Sequence, residues 1–314
     1  MIEEVRALDA GGQPPHDLRR PPPLSRRALL TGGLSTGLLV ACGSSSGHRG
    51  ATKPRASPDV LRHSLVAFFG GPDAVQAGID QRVTFGLGDA QGAIISDGPT
   101  SLEIEVLLEN RVVDRVTAAR HREGLARSYY PLTFRPATAG VYAAQTIVEG
   151  EKIVATFVVA GKVAIPQVGH PMVVVDTPTT ANHRGVNPIC TRSPVCPLHE
   201  VNLRDALEAH KPVAFLMATP AYCQTAICGP VLAVLLSQHA EFGDRIQMIH
   251  SEVYADGRKA AADIDKAVLS PALRAYHLPF EPSLFVSRAD GTIAARLDTT
   301  FDRAELRAAL RSVG

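Results

Sequence analysis

A seven-residue apolar run, Pro212–Ala218, is followed by Pro220, and a second apolar run, Val231–Leu236, opens just after Gly229-Pro230. A short apolar run bounded by proline reads as a buried strand. Proline suits the first turn of a helix, so the second run reads as one. Between them lie Cys223 and Cys228. A strand, a two-cysteine loop and a helix therefore come in sequence, and any fold adopted here must build an α/β layer around a strand buried on both faces. Cys228 falls at the helix N-terminus, where unpaired N–H groups and the helix dipole favour a thiolate.

The length of 314 residues suggests about two domains with extensions. Tryptophan is absent and aromatic residues make up 5% of the chain, so aliphatic side chains must fill the cores. A formal net charge of +1 gives no indication of a nucleic acid partner.

Residues 1–24 are rich in proline and charge with no apolar period, as in disordered segments. Ser25-Arg26-Arg27 and a weakly apolar run to Ala41 follow. That run has the length of a signal-peptide core and is too short for a stable transmembrane helix. The paired arginines resemble a twin-arginine export signal. Leu39-Val-Ala-Cys42 resembles a bacterial lipobox, which implies lipidation of Cys42 and a cell-membrane location on the extracytoplasmic face. Residues 1–41 are thus expected to be signal, and residues 42–60, with Gly43-Ser-Ser-Ser-Gly47, a flexible tether.

Outside the cytoplasm cysteines can pair and stay paired. Setting Cys42 aside leaves Cys190, Cys196, Cys223 and Cys228, and the short loops make Cys190–Cys196 and Cys223–Cys228 the natural pairs. For the first pair two readings compete. One is a metal site formed by Cys190, Cys196 and His199. The other is a structural disulfide. Five residues separate the cysteines, more than zinc motifs favour, and no fourth ligand is evident nearby, so a disulfide is expected and no metal or other cofactor.

Residues 61–163 show short alternating runs: His63–Phe69, Arg82–Leu87, Ser101–Leu108, Arg111–Val116, Tyr129–Phe134, Gly140–Val148 and Lys152–Val159. Seven strands predict a β-sandwich. Thr138-Ala-Gly-Val-Tyr142 resembles the tyrosine corner of immunoglobulin-like folds, although Ala144 stands where the cysteine of antibody domains would be. His63 and His121 read as isolated surface histidines, and Tyr129-Tyr130 as a pair packing on both faces of its strand. The region reads as a spacer or docking module. Residues 164–198, proline-rich and holding the Cys190–Cys196 loop, read as a linker in which Met172–Asp176 adds a short strand.

Residues 199–314 predict the order α-β-α-β-α-β-β-α. Helices are expected at Asn202–His210, after the cysteine loop to about Ala240, at Asp263–Tyr276 with a break at Pro271, and from Asp302. Strands are expected at Pro212–Ala218, Ile246–Val253, Ser283–Ser287 and Thr292–Arg296, the last two joined at Asp290-Gly291. This order resembles the thioredoxin fold. Cys228-Gly-Pro230 is similar to the first three positions of that family's Cys-Gly-Pro-Cys motif, and Glu281-Pro282-Ser283 to its cis-proline segment. Val231 replaces the second motif cysteine and Ile227 the usual tryptophan. Together, the lipobox, the sandwich, the Cys190–Cys196 loop and the thioredoxin-like region resemble exported bacterial thioredoxin-domain lipoproteins over most of the mature chain.

The resemblance implies a membrane-tethered thiol–disulfide oxidoreductase acting on exported thiol or disulfide proteins. Cys228 would attack, Cys223 would resolve, and Pro282 would present the substrate backbone. Against it stands a permanent Cys223–Cys228 clasp in a redox-inert module. Thr225-x-x-Cys228 resembles the peroxiredoxin motif, with Pro220 one residue too far upstream. A copper chaperone would need His250 or His277 as third ligand, and those histidines read more simply as a core residue and a helix cap. Glu281 beside Cys228 would either blunt the thiol or assist proton transfer to a leaving thiolate.

Overall fold

The computed structural model describes residues 61–223 and 226–314, and these lie in one compact unit. The export signal, Cys42 and the tether fall outside the described residues. Among those described, no helix is long and apolar enough to cross a membrane.

Seven strands come first: β1 (His63–Ala67), β2 (Gln81–Asp89), β3 (Ser101–Leu108), β4 (Arg111–Ala119), β5 (Tyr130–Phe134), β6 (Gly140–Val148) and β7 (Glu151–Val159). They form two antiparallel sheets, ordered β1-β2-β5 and β4-β3-β6-β7. Alternation in β3 puts Leu102, Ile104 and Val106 inward and Glu103 outward. Inward residues of both sheets, including Phe85, Leu132, Tyr142 and Phe157, share one core. Tyr142 donates its hydroxyl proton to the Thr138 carbonyl at 2.9 Å, closing the corner that the sequence suggests.

The second half holds α1 (Leu203–Glu208), β8 (Val213–Met217), α2 (Cys228–Ser237), α3 (His239–Phe242), β9 (Gln247–Ser251), α4 (Gly257–Ala262), α5 (Pro271–Ala275), β10 (Ser283–Ser287), β11 (Ile293–Asp298) and α6 (Arg303–Arg311). Its sheet is mixed, ordered β11-β10-β8-β9, with β8 and β9 parallel and the other pairs antiparallel. Every residue of β8 is buried, because separate apolar clusters cover its two faces. The Glu281–Pro282 peptide is cis.

Three expectations about elements are corrected. The helix after the cysteine loop ends at Ser237, and α3 is a separate turn. The helix expected over Asp263–Tyr276 is divided: α4 precedes it, a 3-10 turn covers Ile264–Lys266, and Pro271 begins α5 with Ser270 as its cap. Proline has no N–H to continue a helix but fits its first turn. Met172–Asp176 forms no strand, although Met172 N donates to Gly291 O at 2.9 Å and its side chain is buried.

The sandwich is no detached spacer. Arg82 of β2 makes a bidentate pair with Glu305 of α6, at 2.5 and 2.7 Å, and also donates to the carbonyls of Asp298 and Thr300. Tyr129 donates to Glu305 at 2.6 Å. Asp302, the N-cap of α6, also accepts from the backbone of Arg122 and Glu123 and contacts His121 Nδ1 at 3.0 Å. His121 is therefore not an isolated surface histidine, and His63 pairs with Glu151. In a simple capping box the glutamate at Glu305 would reach back to its own helix start; here it reaches into the sandwich.

Candidate functional site

The β8–α2 connection begins where β8 leaves the sheet. Thr219 is buried; its hydroxyl accepts from Val253 N at 3.0 Å and its own N–H donates to Glu281 Oε2 at 2.7 Å. The loop then turns through Tyr222 and Cys223 and enters α2 at Cys228. Ala226 takes a left-handed φ of 56°, an unusual conformation for a residue with a β-carbon. Its N–H bonds to the Cys223 carbonyl at 3.1 Å.

Cys223 and Cys228 are joined in a disulfide across this turn, with Cα atoms 6.0 Å apart, as the sequence suggests. The two sulfur-bearing residues differ in access. Cys228 is wholly buried against Val231, Leu232 and the strands below, while Cys223 lies partly exposed at the edge of that cluster. Glu281 Oε2 sits 3.3 Å from Cys228 Sγ. Pro282, next to Glu281, leads into β10 beside the loop. Burial pushes the Glu281 carboxyl up to about 7; the Glu252 carboxylate adds to the rise, while Thr219 and His250 oppose it. A carboxyl group that is half protonated near neutrality thus touches the buried sulfur of a disulfide.

The second pair departs from expectation. Cys190 and Cys196 are free thiols, not a disulfide, and both are buried. Two histidines converge on them. His199 Nε2 lies 3.2 Å from Cys196 Sγ, and His250 Nδ1 lies 3.5 Å from Cys196 Sγ and 3.8 Å from Cys190 Sγ. The two ring nitrogens are 3.2 Å apart. Cys196, Pro197 and Leu198 bring the loop to β9, where the Leu198 carbonyl accepts from His250 N at 3.0 Å. Hydrogen bonding from the Cys196 thiol holds Cys190 below the ordinary thiol range, and the same bond pushes Cys196 up. Burial lowers His199.

His250 is the residue that sequence reasoning missed here. It reads as a core histidine of a strand, and it is one; its ring nonetheless points at a cysteine loop far away in the chain. Pairing of the Leu198 carbonyl with His250 N, on the edge of β9 away from β8, sets that distance. His277 follows α5 with a left-handed φ of 52°, away from both sulfur clusters.

The two clusters are mechanically connected. Thr191, next to Cys190, accepts with its hydroxyl from Ala221 N at 3.1 Å, and its backbone N–H donates to Glu252 at 2.6 Å. The Cys190 loop therefore braces the segment that carries Cys223.

No family model and no curated protein matches this chain. Among solved structures, a chain from Chlorobium tepidum assigned as a thiol:disulfide interchange protein DsbE is similar at 14% identity, covering 46% of this chain and 98% of that one, with a TM-score of 0.31. The Lin-41 filamin domain is similar at 17% identity, covering 33% and 96%, with a TM-score of 0.22. The CARDB domain of the PF1109 protein from Pyrococcus furiosus is similar at 13% identity, covering 31% and 91%, with a TM-score of 0.20.

Proposed function

We propose that this protein is a thioredoxin-like thiol–disulfide oxidoreductase, with residues 199–314 as the redox domain and an immunoglobulin-like sandwich fixed against it. The observation that carries the reading is Glu281 Oε2, 3.3 Å from the buried sulfur of a disulfide whose other cysteine is partly exposed. The sheet order β11-β10-β8-β9, with β8 and β9 parallel, supports the fold assignment. The export signal and the lipid anchor at Cys42 belong to the same proposal, which places the substrates among exported thiol or disulfide proteins.

In this reading, supported by the burial of Cys228 and the partial exposure of Cys223, the two cysteines take roles opposite to those the sequence suggests. A substrate thiolate attacks the reachable sulfur of Cys223. The Cys223–Cys228 bond breaks, its electron pair passes to Cys228 Sγ, and Glu281 supplies the proton there. A second thiolate of the substrate then attacks the substrate sulfur of the mixed disulfide and releases Cys223, which takes a proton from solvent. The substrate is oxidised to its disulfide and the protein is reduced by two electrons. In the reverse direction Cys223 attacks, and the Glu281 carboxylate removes the Cys228 proton so that Cys228 can resolve.

The test is equilibration of the full chain against glutathione buffers, with the bond followed by alkylation and mass. The expected result is a Cys223–Cys228 couple that titrates above about −300 mV, the region below which structural disulfides resist glutathione. With Cys228→Ser, glutathione disulfide is expected to leave a stable adduct on Cys223. A bond that stays closed throughout, with no adduct in the variant, identifies a permanent clasp and rejects the oxidoreductase reading.

A further inference from the structure

We propose that Cys190, Cys196, His199 and His250 form a closed tetrahedral site for a zinc(II) ion, separate from the disulfide. The four donor atoms all lie within 4.8 Å of one another and all four residues are buried. Bonds of about 2.3 Å to sulfur and about 2.0–2.1 Å to nitrogen place tetrahedral donors about 3.3 Å apart for two nitrogens and about 3.6 Å for nitrogen and sulfur. The observed spacings are 3.2 Å between the nitrogens and 3.2, 3.5 and 3.8 Å from nitrogen to sulfur. These are the edges of a first coordination shell around one ion.

Hydrogen-bond accounting points the same way. His250 Nε2 lies 3.0 Å from the Ala218 carbonyl, which can only accept, so Nε2 carries the proton and Nδ1 presents a lone pair to the cluster. A ring nitrogen bonded to a backbone carbonyl, with the other free to ligate, is the usual outer-shell arrangement of a metal-bound histidine. His199 Nδ1 is buried without a hydrogen-bond partner. Its Nε2 is the nitrogen that faces the cluster, 3.2 Å from Cys196 Sγ and 3.2 Å from His250 Nδ1.

Charge selects the metal. Two thiolates and two neutral imidazoles neutralise a dication, and both sulfurs ligate in deprotonated form. A monovalent copper ion on the same ligands would leave a buried negative charge, which is costly. The donor set and its closure fit zinc in a structural role, since no position is left for substrate. Its place in the fold gives that role content. Through Thr191 and Ala221 the ion would hold the loop that presents Cys223.

The test begins with the full chain purified anaerobically without chelator, its metals counted by inorganic mass spectrometry. One zinc per chain is expected, falling to less than a tenth in Cys196→Ser, and unchanged in a Cys223→Ser/Cys228→Ser variant. Cobalt(II) exchanged into the wild type is expected to show thiolate charge-transfer and tetrahedral d–d absorption. Because ligand variants can fail to fold, a second measurement uses the wild type alone. Iodoacetamide is expected to label Cys190 and Cys196 at least tenfold faster after chelation than before. A Cys190–Cys196 disulfide in the anaerobically purified protein overturns the proposal. So does copper in place of zinc, or a cobalt spectrum without thiolate bands, or labelling indifferent to chelator.

Discussion

Replacing Glu281 with glutamine isolates the one carboxyl group in contact with the disulfide. The amide keeps the side-chain length and an oxygen for the Thr219 N–H, while removing the titration. In the folded chain the Glu281 carboxyl is raised from 4.5 to about 7, chiefly by burial. The folded state therefore holds this proton while the unfolded chain has already lost it. Its contribution favours folding below pH 4.5 and is lost as pH rises to about 7. That rise corresponds to about 3 kcal/mol. The groups facing Glu281 are Glu252 and His250 from β9 and its end, Tyr254, and Cys228. Those other than Glu281 remain in both proteins, so the difference between the two isolates its contribution. Denaturant unfolding with the disulfide intact is expected to give near-equal stabilities at pH 4, diverging until Glu281→Gln is more stable by up to about 3 kcal/mol at pH 8. The same variant is expected to lose a proton donor. Reduction by dithiothreitol at pH 6, expressed per thiolate, should slow by about 100-fold, the lower range for general acid catalysis. The wild-type rate should fall above pH 7 and the variant rate should not. Parallel stability curves and matched rates would falsify the assignment of Glu281 as the proton donor.

Three further outcomes follow from the geometry. In the reduced protein, Cys223 should react with iodoacetamide at least about tenfold faster than Cys228, since the attacking thiolate must be exposed to reach the reagent; mass mapping of the first adduct decides it. Arg82→Ala should destabilise the folded unit by about 3–5 kcal/mol, because it leaves the Glu305 carboxylate without its cation, with Tyr129 as the donor that remains, and calorimetry reads this directly. His121 is raised, chiefly by its hydrogen bond to Asp302, so His121→Gln should lose stability that is fully present below pH 6.5. The deficit should shrink as pH rises through the folded-state value, read by unfolding at pH 5.5 and pH 9.

Much of the backbone was legible because its signals are local. Strict alternation marked β3, and its bounds Ser101–Leu108 are those expected. The Asp290-Gly291 turn set the β10–β11 hairpin, and Asp302 capped α6 as its spacing indicates. The break at Pro271 was legible too, since proline fits a helix start, while the end of α2 at Ser237 and the 3-10 turn over Ile264–Lys266 were not. The candidate site around Cys223 and Cys228 was half legible. A strand, a loop and a helix N-terminus put Cys223 and Cys228 together, and the segment before Pro282 pointed to Glu281. Which cysteine lies open to a partner depends on what covers α2, and sequence periodicity does not carry that information.

The sequence by itself determined the local chemistry: a strand buried on both faces, a short cysteine loop that can close, and an acid placed before a proline. Only the tertiary structure decided how those parts face one another. The backbone bond between Leu198 and His250, along the edge of β9, brings that ring to the Cys190–Cys196 loop, so two thiols expected to bond each other instead meet two imidazoles. Packing of β2 on α6 turns Glu305 from a helix cap into the anchor of the sandwich. Both outcomes rest on contacts between residues far apart in the chain, whose spacing is set by sheet pairing and burial rather than by their neighbours in sequence.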